Sequence, residues 1–242
     1  MNRKLIFSLF IFLLALIIGC ISLLKYKNDK LLEEVTLLKE QNLKLLDKIK
    51  YYKDENSILN KKITILENEI NAVHSLVEEQ ILIINSKNNK DFMEKYIVLP
   101  IYSADIYTFD KEVISNIIIP KESSLKEKLD VIAGKLSRYC FSNLPIEVVK
   151  IEEIDNKQIA IVNLKEASTN EEITEPSKVI GTTWKYNYFQ GSCGGTCTFT
   201  KLVETFLQRD YNSEWIDGVQ FLYYNEAGDF EHVEGLFDIN YR

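Results

Sequence analysis

The sequence has little of what common catalytic and metal chemistry needs. Two histidines in 242 residues leave almost nothing for a histidine-based metal site or proton relay, and four cysteines in so long a chain do not make a disulfide scaffold. Neither enzymatic activity nor a cofactor is expected. Nine Gly and four Pro exclude collagen-like or linker-type material, and an excess of positive charge is missing too, since 29 basic face 36 acidic residues. A net charge of −7 disfavours a sequence-independent grip on nucleic acid. What is present is apolar: 46% hydrophobic and 11% aromatic residues are too many for a disordered chain.

The charge is unevenly placed. Residues 1–25 carry three bases and no acid, residues 26–91 carry 11 bases and 12 acids, and residues 92–242 carry 15 bases and 24 acids. The acidic distal part suits solubility or a basic protein partner. These shifts mark three expected parts: a membrane anchor at 1–24, a stalk at 25–91 and a globular domain at 92–242.

Leu5 to Leu24 is uncharged for twenty residues, with Arg3 and Lys4 before it and Lys25 after it. At ~1.5 Å per residue that run matches a bilayer core of ~30 Å. An uncleaved signal-anchor helix is expected, with the C-terminal domain extracytoplasmic. The alternative is a lipoprotein signal, because Ile17-Ile18-Gly19-Cys20 is similar to a lipobox with Cys20 as the lipid acceptor. The apolar run continues past Cys20, which favours the intact helix. Lys25, Lys27 and Lys30 outnumber Arg3 and Lys4, so charge bias alone does not place the C-terminal part outside.

Between Leu31 and Val77 an alternating 4,3 spacing selects Leu31, Val35, Leu38, Asn42, Leu45, Ile49, Tyr52, Asn56, Leu59, Ile63, Leu66, Ile70, Val73 and Val77. Twelve of these fourteen are apolar, and no Gly or Pro interrupts the stretch, so a coiled coil is expected. With Val35, Asn42, Ile49, Asn56, Ile63, Ile70 and Val77 at position a, the d positions are mainly Leu, a pattern that favours two parallel strands. Asn42 and Asn56 would fix the register. Glu34 with Lys39 and Lys62 with Glu67 attract across the seam, whereas Lys48 with Lys53 repels. The expected partner is a second copy, along a rod of roughly 70 Å; the alternative is a lone helix packed on its own globular domain. After Val77 the pattern dissolves towards the polar run Asn85 to Lys90.

Residues 92–242 suffice for one domain. Two apolar stretches from Tyr96 to Ile119 predict strands around a turn near Asp105. Ser124 and Glu127 form a capping box for a helix ending near Tyr139. Glu147 to Ile154 and Gln158 to Leu164 predict a hairpin, Lys165 to Lys178 a loop, Phe199 to Leu207 the buried stripe of a second helix, and Gly218 to Tyr224, with a turn at Ala227-Gly228, a last hairpin. The order predicts an α+β head, an α/β sandwich with two helices on one face of a mostly antiparallel sheet.

Three segments carry a resemblance: PIEVVKIEEIDNKQIAIVNLKEA, GSCGGTCTFTKLVETFLQ and EWIDGVQFLYYNEAGDFEH. Together they resemble the GerMN domain, the sporulation and spore germination module of Gram-positive envelope proteins, over roughly residues 95–242. The resemblance implies a non-enzymatic, extracytoplasmic domain related to ring-building motifs, which associates with itself or with envelope partners. The long coiled coil and the cysteines in the glycine-rich segment depart from the family, so assembly into rings does not simply carry over.

Other candidate residues have plainer roles open to them. Gly191, Gly194 and Gly195 before a helix could seat an anion, but they match neither phosphate-loop spacing, and tight turning into the helix is the simpler role. Cys193 and Cys197 could form a local disulfide outside the cytoplasm, hold a metal or be small buried residues; a metal would need two more ligands, and the two histidines are His74, on the stalk, and His232. A nucleophilic pair of Cys193 and His232 has no sequence signature. Cys140 reads as buried. Trp184, Tyr186 and Tyr188 alternate, so an extended segment would place them on one face, either in the core or as a recognition surface for a partner. An envelope lipoprotein binding a glycan or small ligand through Trp184 to Phe189 is the alternative function.

Overall fold

The computed structural model describes residues 3–171 and 173–242. It contains both helix and sheet and is broadly α+β. One helix, α1, takes in Arg3–Ser86. Its length follows from the absence of breakers, since Gly19 is the only glycine before Gly134 and the first proline is Pro100. The chain forms two compact units, Met1–Leu59 and Asn60–Arg242.

In the first unit the apolar segment of α1 is long and apolar enough to cross a membrane, and its residues from Ile6 on are exposed to the surroundings. That fits a single-pass anchor. Cys20 lies within the helix. The stalk residues of this unit are also exposed, and Glu40 bonds Lys44 one turn on at 2.7 Å.

The second unit begins within α1. Helix α1 ends at Ser86, and Asn89 caps the short helix α2 (Lys90–Lys95) by accepting from the Phe92 amide, so the expected boundary at 91/92 falls inside α2. The compact unit nevertheless includes α1 residues from Asn60 on. Strands β1 (Tyr96–Ala104) and β2 (Lys111–Pro120) form an antiparallel hairpin that is a sheet of its own. Helix α3 (Leu125–Cys140) follows, with the expected capping box at Ser124 and Glu127 and a buried stripe of Leu129, Ile132, Ala133 and Leu136. The Ser124 bonds hold the Glu127 carboxyl below its ordinary range.

A second sheet has the order β3 (Ile146–Ile154), β4 (Lys157–Leu164), β5 (Gly218–Tyr223), β6 (Ile239–Tyr241). Here the expectation of a single sheet is corrected, since the strands form two sheets, whereas three of the four strand pairings among the described residues are antiparallel as expected. β4 and β5 are parallel, because the connection between them carries helix α4 (Ser192–Leu207) across as a βαβ crossover. The last hairpin is corrected as well: the turn sits at Tyr224 and Asn225, both at positive φ, and β5 finds its antiparallel partner in β6.

Helix α4 lies between the two sheets' side chains. Phe206 meets Phe221 of β5 edge to face, while the Thr205 hydroxyl accepts from the Tyr102 amide of β1. One continuous core joins Leu99, Ile117, Leu136, Val162, Trp184, Phe206 and Phe221.

Candidate interaction site

Three features stand out: a free stripe on α1, a second stripe on the same helix that holds the globular unit, and an exposed hairpin tip. All fourteen heptad positions from Leu31 to Val77 are exposed. In the globular unit the chain covers different α1 residues. Ala72, Glu79 and Ser86 are buried, and Ile65, Glu69, Leu76 and Ile83 are half-buried. These seven also follow a 4,3 spacing, at heptad positions c and g, about 110° around the helix from the a/d seam.

The bonds on and beside this second stripe are specific. The Gln80 side chain behaves as a strand's peptide group: its Oε1 accepts from the Asn116 amide at 3.1 Å and its Nε2 donates to the Asn116 carbonyl at 2.7 Å. Glu79 Oε1 accepts from the Ile118 amide, and Oε2 accepts from Lys135 Nζ at 2.7 Å and from the Tyr139 hydroxyl at 2.8 Å. The buried carboxylate thus ties α1 to β2 and α3 at once. Burial lowers the Lys135 pKa, but its bonds to Glu79 and Tyr139 outweigh that and shift it upward. Burial and the Glu79 bond push the Tyr139 phenol up. Arg138 adds a 2.7 Å bond to Ser75 Oγ, and Ile65 packs where Gly181, at φ +78°, leaves room.

Gln80 also explains why the heptads stop. It stands at the next d position after Val73, and its amide is committed to β2. Along the seam side of this contact a crevice of about 250 Å³ opens between α1 and the end of α3.

Outside α1, the β1–β2 tip is a prominent exposed apolar feature of the globular unit. Tyr107 is 84% exposed, with Ile106, Phe109 and Val113 also open to solvent. The tip is ordered all the same, because Asp105 Oδ1 accepts from the Tyr107 and Thr108 amides at 2.8 Å. Those bonds hold the Asp105 carboxyl below its usual range, so it is charged at neutral pH. Asp110 and Glu112 lie beside it, and Asp210 approaches Lys111.

The expected recognition face at Trp184, Tyr186 and Tyr188 is not an extended segment. Trp184–Tyr188 forms a π-helical turn, capped at its start by the Thr183 hydroxyl and by the buried Glu166 carboxylate, which accepts from the Trp184 and Lys185 amides at 3.0 Å. Trp184 is fully buried, packed on Phe141 and Phe189, and its Nε1 donates to the Lys165 carbonyl. It offers no stacking face to a sugar. Tyr188 is half-buried on Phe141, and Tyr186 is half-buried with its hydroxyl on the Thr174 carbonyl.

The glycine-rich segment is largely helix. Gly191, at φ +73°, makes the turn into α4, and Gly195 is required because a Cβ there would lie 1.8 Å from the His232 carbonyl oxygen. Cys193 and Cys197 are unbonded thiols on the first turns of α4, with their sulfurs towards the carbonyls of Ile106 and Ala104. Desolvation and the neighbouring Cys197 push the Cys193 thiol up, opposite to what activates a nucleophile. Cys140, at the end of α3, is pushed up to about 11 by burial. Among the described residues no group of three or more His, Cys, Asp or Glu side chains is placed to hold a metal ion.

Sequence leaves a helix packed on its own globular domain as an alternative but does not single out the docking stripe on α1 or the Glu79 cluster. Their only signal is the spacing of Ile65, Glu69, Ala72, Leu76, Glu79, Ile83 and Ser86, which mixes charged, small and apolar residues. No family model matches this chain, and no characterised protein or solved structure is significantly similar to it.

Proposed function

We propose that this is a membrane-anchored, non-enzymatic interaction protein that pairs with a second copy of itself through the α1 seam and presents its globular unit to protein partners. The observation that carries this reading is the division of α1 into two stripes. The globular unit occupies c and g positions, leaving fourteen a and d positions exposed, twelve of them apolar. Isolated apolar residues on a surface need no explanation, but an unbroken stripe of this length needs a partner. Asn42 and Asn56 at position a, with Leu at most d positions, favour a parallel pair of like chains.

The extracytoplasmic placement rests on the signal-like N-terminal segment, and an envelope role in sporulation or germination rests on the GerMN resemblance. The continuation of α1 through Cys20 favours the uncleaved anchor over lipid attachment. The acidic, apolar β1–β2 tip suits a protein partner with an apolar pocket and a basic rim.

Sedimentation equilibrium of the full chain in density-matched detergent tests the pairing. A dimer that dissociates when Leu45 and Leu59 are both changed to Asp is the expected result. A wild-type monomer at high concentration would overturn the reading. Protease shaving of intact cells tests the placement, which fails if the globular unit is protected.

A further inference from the structure

We propose that the crevice between α1 and α3 is completed by the second copy of the chain, whose His74 enters it from across the seam. This inference rests on the parallel pairing proposed above. The crevice holds about 250 Å³, and its walls include Glu69, Val73 and Leu76 from α1 and Arg138, Cys140 and Ser142 from the end of α3 and the turn after it. Val73 is itself a d residue of the seam and is 61% exposed. A partner helix seated on Val73 therefore borders the mouth of the crevice, so crevice and seam form one continuous surface.

Heptad geometry selects the residue that arrives there. In a parallel pair the g residue of one helix faces the e residue of the partner's next heptad, five positions on. Glu69 is at g, and the residue five positions on is His74, at e. On its own helix His74 stands about 160° around from the g stripe, so it cannot reach the crevice of its own chain. There it is exposed and, among the described residues, paired with Glu78, one turn away at 3.0 Å. An exposed pair of that kind is weak and is given up at little cost.

The chemistry of the two sides is complementary. A neutral imidazole has one N–H donor and one acceptor nitrogen. The crevice supplies a carboxylate acceptor in Glu69 and guanidinium donors in Arg138, whose Nη2 already spans to Ser75 Oγ and the Asn71 carbonyl. Each globular unit would then be held against its own helix by Glu79 and against the partner's helix by His74, fixing the orientation of the two units.

The test uses two differently tagged full chains co-expressed in membranes, with the four native cysteines changed to alanine. One copy carries His74→Cys and the other Arg138→Cys, and a short bis-maleimide is added. Ser142→Cys on the same crevice serves as a second target if loss of the guanidinium loosens α3. Leu66→Cys on both copies reports the seam itself, and Asn68→Cys, on the far side of the helix, sets the background. Linkage of 74 to 138 or to 142, several-fold above the 74 to 68 background, is expected alongside strong 66 to 66 linkage. Strong 66 to 66 linkage with background linkage at the crevice overturns the inference while leaving the pairing intact. Loss of the 66 to 66 product overturns both.

Discussion

Within the globular unit α1 carries two stripes with the same 4,3 spacing and opposite fates. The c/g stripe is satisfied within the chain, through Ile65, Ala72, Leu76, Glu79 and Ser86, while the a/d stripe through Ile63, Leu66, Ile70, Val73 and Val77 is exposed. The satisfied stripe is the less apolar of the two. Its hold comes from the Glu79 carboxylate, joined by the amide of the adjacent d residue Gln80, both matching the free edge of a strand, and the exposed stripe offers area alone. Intrachain docking here relies on directional bonds, and interchain pairing would rely on burial.

The largest effect expected on this contrast comes from Glu79→Ala. It strands the Ile118 amide, Lys135 and the Tyr139 hydroxyl, and should cost about 3 kcal/mol in denaturant unfolding of the globular unit. Self-association should change less, and the reverse pattern would break the distinction between the stripes. Next comes Leu66→Ala, which removes only an exposed side chain from the single chain. Unfolding measured on dilute monomer should shift by less than about 0.5 kcal/mol, whereas dimer dissociation should become easier by roughly 1–2 kcal/mol per chain.

A third test is the alkaline limb of stability. Lys135 has a folded pKa above its ordinary 10.5, so its contribution is complete below that value and is lost as pH rises through the folded pKa. Stability measured against pH should fall in that alkaline window. The fall should be smaller in Glu79→Gln, which removes the charge that holds the lysine protonated. The smallest structural effect belongs to Tyr107→Ala at the hairpin tip, which should leave unfolding within about 0.5 kcal/mol of wild type. Capture of envelope proteins by crosslinking should drop if the tip is a contact point, and unchanged capture would remove it from that role.

The seam was legible because one residue class repeats along it without interruption. The helix α3 was legible for a similar reason, since Ser124 and Glu127 are a local signal and its apolar stripe is regular. The docking stripe was not, because Glu79 and its neighbour Gln80 look like solvated helix surface until Asn116 and Ile118 are brought alongside, some forty positions later in the chain. Trp184-Lys185-Tyr186-Asn187-Tyr188 alternates as a strand would, and its π-helical turn depends on Glu166, eighteen residues earlier, to receive the Trp184 amide. The parallel register of β4 and β5 is equally non-local: Val162 and Phe221 are partners across a crossover that local periodicity does not encode.

Both borders of the β1–β2 hairpin are sealed by helix side chains, Gln80 and Glu79 on one and Thr205 and Gln208 on the other, the latter meeting the Pro100 carbonyl. Around residues 100–102 and 116–118 the ribbon's outward backbone groups are thereby taken up, and at those places a further strand finds no peptide group to pair with.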